Sequence, residues 1–108
     1  MSFDERLKTS SGLKEKHPDR IPLILTREKN RNLPEFTSLK FLVPFDCTIA
    51  KLIINIRKQI KIRDTDCIYL SFNNRIFKNS DVIVTMYERF KNKDGFLYGV
   101  ISTEHTFG

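Results

Sequence analysis

Residue types that perform chemistry in enzymes are sparse in this chain of 108 residues. It contains two histidines, His17 and His105, and two cysteines, Cys47 and Cys67. Two cysteines are too few for a metal cluster or a disulfide framework, and neither a zinc-binding histidine pair nor a glycine-rich phosphate loop is present in the sequence. We therefore expect no catalytic centre, no metal and no cofactor. Both cysteines are expected to be buried free thiols of a reducing compartment, and His17 is expected at the surface.

The net charge of +6 is unevenly distributed along the chain. Residues 1–33 carry eight basic and five acidic side chains, and residues 34–63 carry six and two. Residues 64–108 carry five and six. The first two thirds therefore form the basic part. Such a surface attracts acidic peptides, anionic lipid or nucleic acid, and charge alone does not choose among them.

The composition is that of one soluble globular domain, with 40% hydrophobic and 30% charged residues. No apolar run approaches the roughly 20 residues that span a bilayer. The first residues, MSFDERLKTSSG, contain no apolar stretch after their charges, so we expect no secretory signal.

Apolar residues at helical spacing in residues 3–9 predict a short N-terminal helix, which Ser10-Ser11-Gly12 should end. Ser11 can cap a second short helix that runs through Lys16 and ends at His17-Pro18. Two short helices are therefore expected before the first strand.

Two strands are predicted next, on either side of a polar connector over residues 27–38. The dense, branched residues of RIPLILT (20–26) are typical of a buried strand, and Pro22 favours an edge position or an irregular stretch. The second strand is LKFLVP (39–44), which Pro44 ends.

The clearest helix follows, capped by Thr48. Its apolar residues recur at spacings of three, one, three and four: they are Ile49, Leu52, Ile53, Ile56 and Ile60. The remaining pattern predicts strands over 67–72 and 75–77, a helix capped by Ser80, and a last strand over 96–102. Asn73-Asn74 and Asp94-Gly95 are the expected turns. This order predicts an α+β fold, a ubiquitin-like β-grasp in which a mixed sheet wraps one long helix, with two extra N-terminal helices.

Four segments resemble the autophagy-related ubiquitin-like modifiers, a family that includes the GABA-receptor-associated proteins. They are HPDRIPLI (17–24), KFLVPFDCTI (40–49), IRKQI (56–60) and KDGFLYGVISTEHTFG (93–108). The match runs from about residue 13 to Gly108 without an obvious gap. Because the segments occur in family order, the chain is identified as a member.

The resemblance implies a modifier rather than an enzyme. Family members are activated at their C-terminal glycine by an ATP-using enzyme and pass as thioesters to a conjugating enzyme. They end as amides on phosphatidylethanolamine and recruit cargo receptors to the growing autophagosome. A processing and deconjugating cysteine protease removes any residues after the glycine. Gly108 is the implied conjugation site. Nothing follows it, so we expect a processed or truncated form, or a chain that is encoded ready for use.

The implied organisation has three parts: an N-terminal helical extension (1–17), the β-grasp domain (18–105) and a conjugation tail (106–108). The unconjugated protein is expected to be a cytoplasmic monomer that becomes attached to autophagosomal membranes on lipidation. No nucleic acid is expected as a partner.

The resemblance also implies a receptor groove, in which an extended peptide adds a strand to residues 39–44. Receptors carry a short aromatic-x-x-aliphatic motif that enters two apolar pockets. The aromatic pocket corresponds to Leu13, Ile21, Pro22, Ile24, Lys40, Leu42 and Phe96. The aliphatic pocket corresponds to Phe41, Val43, Pro44, Cys47, Leu52 and Asn55. Arg20 and Lys40 are expected to meet acidic residues that precede the aromatic. Ile24 and Leu52 are equally explained as core residues.

Five positions depart from the family pattern. Asn55 replaces an aliphatic residue and Cys47 a leucine, while Ser38, Gln59 and Ser71 stand in place of lysine, arginine and phenylalanine. These departures are expected to change the strength or selectivity of the groove and not the fold.

Two other functions remain open at this point. The same fold could act as a binding module that is never conjugated, or that is conjugated to protein. A basic RNA-binding β-grasp domain is the remote alternative. The exposed aromatics do not alternate with basic residues, as a base-stacking surface requires.

Overall fold

The computed structural model describes residues 2–28, 38–62 and 67–103. In chain order the elements are α1 (Phe3–Lys16), β1 (Arg20–Arg27), β2 (Leu39–Pro44), α2 (Ile49–Gln59), β3 (Ile68–Phe72), β4 (Arg75–Ile76), α3 (Ile83–Phe90) and β5 (Leu97–Thr103). The strands form one sheet in the order β2-β1-β5-β3-β4. β1 and β5 are parallel, and the other neighbours are antiparallel. This mixed sheet confirms the predicted α+β β-grasp.

The core lies between one face of the sheet and helices α2 and α3. The predicted apolar stripe of α2 supplies the fully buried Leu52 and Ile56, and α3 supplies Ile83 and Met86. Thr48 caps α2 as predicted, because its side chain accepts a hydrogen bond from the Lys51 N–H at 3.2 Å. None of the helices within the described ranges is long and apolar enough to cross a membrane.

Strand β1 is buried on both faces. Ile21, Leu23 and Leu25 belong to the core on the α2 side. Because side chains alternate along a strand, Ile24 points to the opposite face, which α1 covers. Pairing with β5 begins only at Leu23, so Pro22 lies where β1 has a neighbour on one side only. A residue without an N–H is tolerated there.

The N-terminal segment is one continuous helix rather than the two short helices predicted. Ser10 does not end it, because its hydroxyl donates to the Leu7 carbonyl at 3.0 Å and to the Asp94 carbonyl of the β-grasp. Gly12 costs about 1 kcal/mol in a helix interior. Contacts of α1 with the sheet outweigh that cost. The helix ends at Lys16, with His17 at its C-cap and exposed, as predicted.

The prediction that Ser80 caps the third helix is wrong. Val82 is the N-cap residue and makes no side-chain hydrogen bond. The first N–H groups are instead satisfied by backbone carbonyls between β2 and α2. Ile83 donates to Cys47 at 2.8 Å, and Val84 donates to Phe45 at 3.1 Å. A tertiary contact therefore replaces the local cap.

The remaining local predictions have mixed outcomes. Asn73 and Asn74 form the predicted turn, with φ of 53° and 63°. Cys47 is buried as expected, and burial raises the pKa of its thiol. Cys67 was expected to be buried, but it is exposed just before β3.

Candidate functional site

Strand β2 forms a free edge of the sheet. It lies at the end of the strand order and pairs only with β1 among the described strands. The Glu28 N–H, one residue beyond β1, donates to the Ile101 carbonyl of β5 at 2.8 Å. Backbone N–H and C=O groups alternate in direction along a strand. The even-numbered residues of β1 therefore point these groups toward β5, and the odd-numbered residues point them toward β2. By the same alternation, the N–H and C=O groups of Lys40 and Leu42 point outward. Pro44 offers no N–H, so further pairing ends there.

An apolar cavity of about 200 Å³ lies beside this edge, between β2 and α1. Its lining residues are Thr9, Leu13, Leu23, Ile24, Lys40, Phe41, Leu42 and Phe96. Pockets for drug-sized ligands and cofactors typically have volumes of about 300–1,000 Å³. This cavity is therefore of a size for a single side chain.

Five of the seven residues expected in the aromatic pocket line this cavity: Leu13, Ile24, Lys40, Leu42 and Phe96. Ile21 and Pro22 are not among its lining residues. Ile21 lies in the core, with 1% of its surface exposed, because it points to the α2 face. Thr9 and Leu23 line the cavity although neither is predicted there, and Phe41, which is expected in the aliphatic pocket, lines it as well.

The six residues expected in the aliphatic pocket differ in accessibility. Val43, Cys47 and Leu52 are buried in the core. Phe41 and Asn55 are half-buried, and Pro44 is exposed. The accessible part of this set is therefore Phe41, Pro44 and Asn55.

The two expected acid-binding residues stand at different points of the edge. Lys40 lies opposite Ile24, and Arg20 lies opposite Pro44. Four residues of strand separate their backbones by roughly 13 Å. The Arg20 guanidinium Nη1 donates to the Leu42 carbonyl at 3.4 Å.

A buried polar network holds α1 against the β-grasp beside the cavity. The Asp94 carboxylate, whose side chain is 1% exposed, accepts from Arg6 Nε at 2.9 Å and from the Tyr98 hydroxyl. Its second oxygen accepts from the Phe96 N–H at 2.9 Å. The Ser10 hydroxyl donates to the Asp94 carbonyl. We call these four residues, Arg6, Ser10, Asp94 and Tyr98, the α1 latch.

The α1 latch changes the acidity of its members. Burial by itself would raise the pKa of Asp94, but hydrogen bonds from Tyr98, the Phe96 N–H and Arg6 outweigh it and lower that pKa. Burial, together with the hydrogen bond to Asp94 and its charge, raises the pKa of Tyr98 to about 12. Asp94 is therefore ionised and Tyr98 neutral at physiological pH.

The α1 latch also determines the shape of the cavity. Asp94 fixes the backbone of Phe96, and Arg6 and Ser10 hold the helix that carries Leu13. Gly95 has φ of +88°, and a Cβ there would lie 2.3 Å from Ser10 Oγ, so the helix approaches the turn closely at this glycine. The sequence analysis identified the turn but not the latch.

Of the remaining predicted positions, Ser38 lines a neighbouring cavity together with Lys40 and the latch residues Arg6, Asp94 and Tyr98, whereas Gln59 and Ser71 line neither cavity. Ser38 is exposed just before β2, Gln59 is exposed at the end of α2, and Ser71 is half-buried in β3. Gly108, with the rest of residues 104–108, lies outside the described residues. Over the ranges that are described, no three His, Cys, Asp or Glu side chains are grouped to hold a metal ion.

Comparison with known protein families identifies the family of this chain. The family model described as "Autophagy protein Atg8 ubiquitin like" matches residues 5–108. The chain belongs to the Atg8 family. It is 37% identical over 107 residues to autophagy-related protein 8h of Arabidopsis thaliana, covering 99% of this chain and 90% of the relative. It is 39% identical over 107 residues to autophagy-related protein 8 of Dictyostelium discoideum, covering 98% and 88%.

Solved Atg8 structures share the fold described above. Trypanosoma brucei ATG8 aligns with a TM-score of 0.90 and 31% identity, covering all of this chain and 93% of the other. Plasmodium falciparum Atg8, solved in complex with a P. falciparum Atg3 peptide, aligns with a TM-score of 0.83 and 30% identity, covering 96% and 92%. The identification from the four sequence segments is confirmed, and this chain is a ubiquitin-like autophagy protein.

Proposed function

We propose that this Atg8-family chain is a modifier that binds receptor peptides by strand addition to the free edge of β2. The observation that carries the proposal is the cavity beside that edge. The outward N–H and C=O groups of Lys40 and Leu42 supply a ladder for an extended peptide. The cavity lies on one face of the same strand, so a peptide paired there can insert an alternate side chain into it.

The cavity suits an aromatic anchor. Its apolar walls come from three elements and the turn before β5: they are Leu13, Ile24, Leu42 and Phe96. The α1 latch holds two of them, Leu13 and Phe96, in place. Lys40 lies at the rim with its side chain exposed, where it can meet an acidic residue beside the anchor. The aromatic side of the groove is therefore proposed as the main source of affinity.

The aliphatic side of the groove is proposed to be the weaker one. Val43, Cys47 and Leu52 are buried, so a peptide side chain on the α2 face meets mainly Phe41, Pro44 and Asn55. An amide in that set keeps its need for hydrogen-bond partners when a methyl group covers it. A receptor's aliphatic anchor gains less here than it would against a wholly apolar surface.

The C-terminus is proposed to carry the conjugation chemistry. The proposed steps are activation of the Gly108 carboxylate, transfer to a thioester and amide formation with phosphatidylethanolamine. They require a C-terminus that threads narrow enzyme channels, and glycine suits this because it lacks a Cβ. Activating and conjugating enzymes and a cysteine protease are the proposed partners. The solved complex of Plasmodium falciparum Atg8 with an Atg3 peptide supports peptide binding by this fold. The proposed location is the cytoplasm and, after lipidation, autophagosomal membranes.

The groove is tested by calorimetry with an aromatic-x-x-aliphatic peptide. Leu13→Ala opens the cavity wall and should weaken binding severalfold. Leu7→Ala, an exposed leucine on the same helix, is the matched control and should leave affinity unchanged. The Lys40 and Leu42 amides should become protected from hydrogen exchange in the complex. Unchanged protection at both amides would reject strand addition to β2.

Conjugation is tested separately by mass spectrometry of chain recovered from liposomes that contain phosphatidylethanolamine, after incubation with the activating and conjugating enzymes and ATP. A mass increase on the C-terminal peptide supports the lipid-conjugated modifier. A protein adduct or no adduct indicates the protein-conjugated or unconjugated binding module instead.

A further inference from the structure

The guanidinium of Arg20 contacts a backbone carbonyl that a receptor strand would use as a hydrogen-bond acceptor. The Leu42 carbonyl is one of the outward groups of β2, and Arg20 Nη1 donates to it at 3.4 Å. A carbonyl oxygen can accept two hydrogen bonds. A pairing strand, however, must lie about 4.8 Å from β2 on the side where the guanidinium stands. Peptide and guanidinium therefore compete for the same space.

The base of this side chain is held in place. The Arg20 N–H donates to the His17 carbonyl at 3.1 Å, and the Arg20 carbonyl accepts from Lys14 Nζ at 3.2 Å. Arg20 also pairs with Pro44 at the end of the β1–β2 ladder. The backbone cannot move the guanidinium away from Leu42, so only rotation of the side chain can expose the carbonyl.

We propose that Arg20 is a specificity-determining gate on the β2 edge, which closes the Leu42 carbonyl to neutral peptides and opens for acidic ones. The proposal rests on the strand-addition function argued above. A carboxylate can open the gate, because its charge-assisted hydrogen bonds to arginine are stronger than a bond to a neutral carbonyl.

Lys40 differs from Arg20 in this respect. It lies four residues away along β2, and its side chain is exposed at the cavity rim. It can attract an acidic peptide without blocking an outward backbone group. The two cations therefore have separable effects. Lys40 raises the affinity for acidic peptides, whereas Arg20 raises the affinity for acidic peptides and also lowers the affinity for neutral ones.

The test uses three peptides: an aromatic-x-x-aliphatic peptide with neutral flanks, the same peptide with one glutamate before the motif, and the same peptide with one glutamate after it. Affinities are measured by calorimetry for the wild type, Arg20→Ala and the control Lys40→Ala. Removal of the guanidinium should tighten the neutral peptide about 2- to 10-fold, the range of one net hydrogen bond. It should also reduce the advantage of the better-placed glutamate, of which the contribution of Lys40 remains. Lys40→Ala should weaken a glutamate peptide without tightening the neutral one.

The outcomes separate the gate from the proposed function. If Arg20→Ala leaves the neutral peptide unchanged or weaker, the gate is wrong while strand addition stands. If none of the three peptides binds the wild type or Arg20→Ala, the groove itself is rejected. Circular dichroism checks the fold of each variant. Should Arg20→Ala fail to fold, Arg20→Met, which keeps most of the side-chain length and removes both the charge and the N–H donors, is read in its place with the same expectations.

Discussion

Arg6 and Asp94 are 88 residues apart in the sequence, and their side chains meet at 2.9 Å. The carboxylate is buried, and a third of the Arg6 side chain remains exposed. The pair joins the N-terminal helix to the turn before β5. Through that turn it reaches Phe96, and through the helix it reaches Leu13, and both residues line the cavity. Stability and the shape of the cavity are therefore linked at this contact.

Removal of Arg6 should lower stability and loosen the cavity together. Arg6→Ala leaves a buried carboxylate without its cation, a change that costs about 3–5 kcal/mol in fully buried pairs. Since Arg6 is 33% exposed, solvent screens part of this and we expect about 1–3 kcal/mol. Urea unfolding measures it, with exposed Lys8→Ala on the same helix as the control. Equal stability of the two variants would contradict a structural role for the α1 latch.

The raised pKa of Tyr98 predicts a loss of stability at alkaline pH. Tyr98 titrates near its ordinary pKa of 10 when unfolded and at about 12 when folded. Its neutral form is thus favoured by folding, and this contribution is complete below pH 10 and disappears as pH rises through 12. Tyr98→Phe should remove that pH-dependent component. The measurement is the difference between wild-type and variant unfolding free energies from pH 9 to 12. Parallel curves would contradict the prediction.

Acid should also weaken the α1 latch, in this case through protonation of Asp94. The pKa of Asp94 is lowered in the folded state, so its stabilising contribution is present above the unfolded pKa of about 3.9 and is lost as pH falls through the folded value. Asp94→Asn should therefore flatten the stability profile below about pH 4 relative to wild type. Thermal unfolding between pH 2 and 6 measures this, and a variant that loses stability as steeply as wild type would assign the acid sensitivity to other carboxylates.

Gly108→Ala should impair thioester formation strongly while the fold stays intact. If the C-terminus is conjugated as proposed above, the added methyl group should obstruct the narrow enzyme channel through which it passes. Thioester gels compare charging of the two proteins, and circular dichroism compares their folds. Normal charging of the variant by its activating enzyme would count against conjugation at Gly108.

Asn55→Val should strengthen binding of an aromatic-x-x-aliphatic peptide about 3- to 10-fold, or ~0.7 to 1.4 kcal/mol. Asn55 is half-buried beside the buried Leu52 on α2, so valine would replace an amide with apolar contact. The same change should barely affect a peptide whose aliphatic anchor is alanine. Calorimetry on this double-mutant cycle isolates the contact. Equal strengthening of both peptides, or of neither, would show that Asn55 does not meet the aliphatic anchor.

Much of this architecture follows from local sequence patterns. The apolar stripe of α2, the Thr48 cap and the Asn73-Asn74 turn each depend on residues within one element. They can therefore be predicted from the sequence. The strand that ends at Pro44 is equally local. Alternation along β1 also contains the information that Ile21 and Ile24 face opposite sides, although the family pattern placed both in one pocket.

Other features were decided by the tertiary structure alone. Local sequence predicts that Ser10 ends the helix, but the Asp94 carbonyl offers a partner for its hydroxyl. Similarly, α3 needs no side-chain cap because Cys47 and Phe45 supply carbonyls. The sequence determined which segments become helices and strands, because propensity and periodicity act over a few residues. Only closure of the sheet brought Arg6 to Asp94 and Arg20 to the Leu42 carbonyl, because those contacts join residues whose separation along the chain carries no local signal.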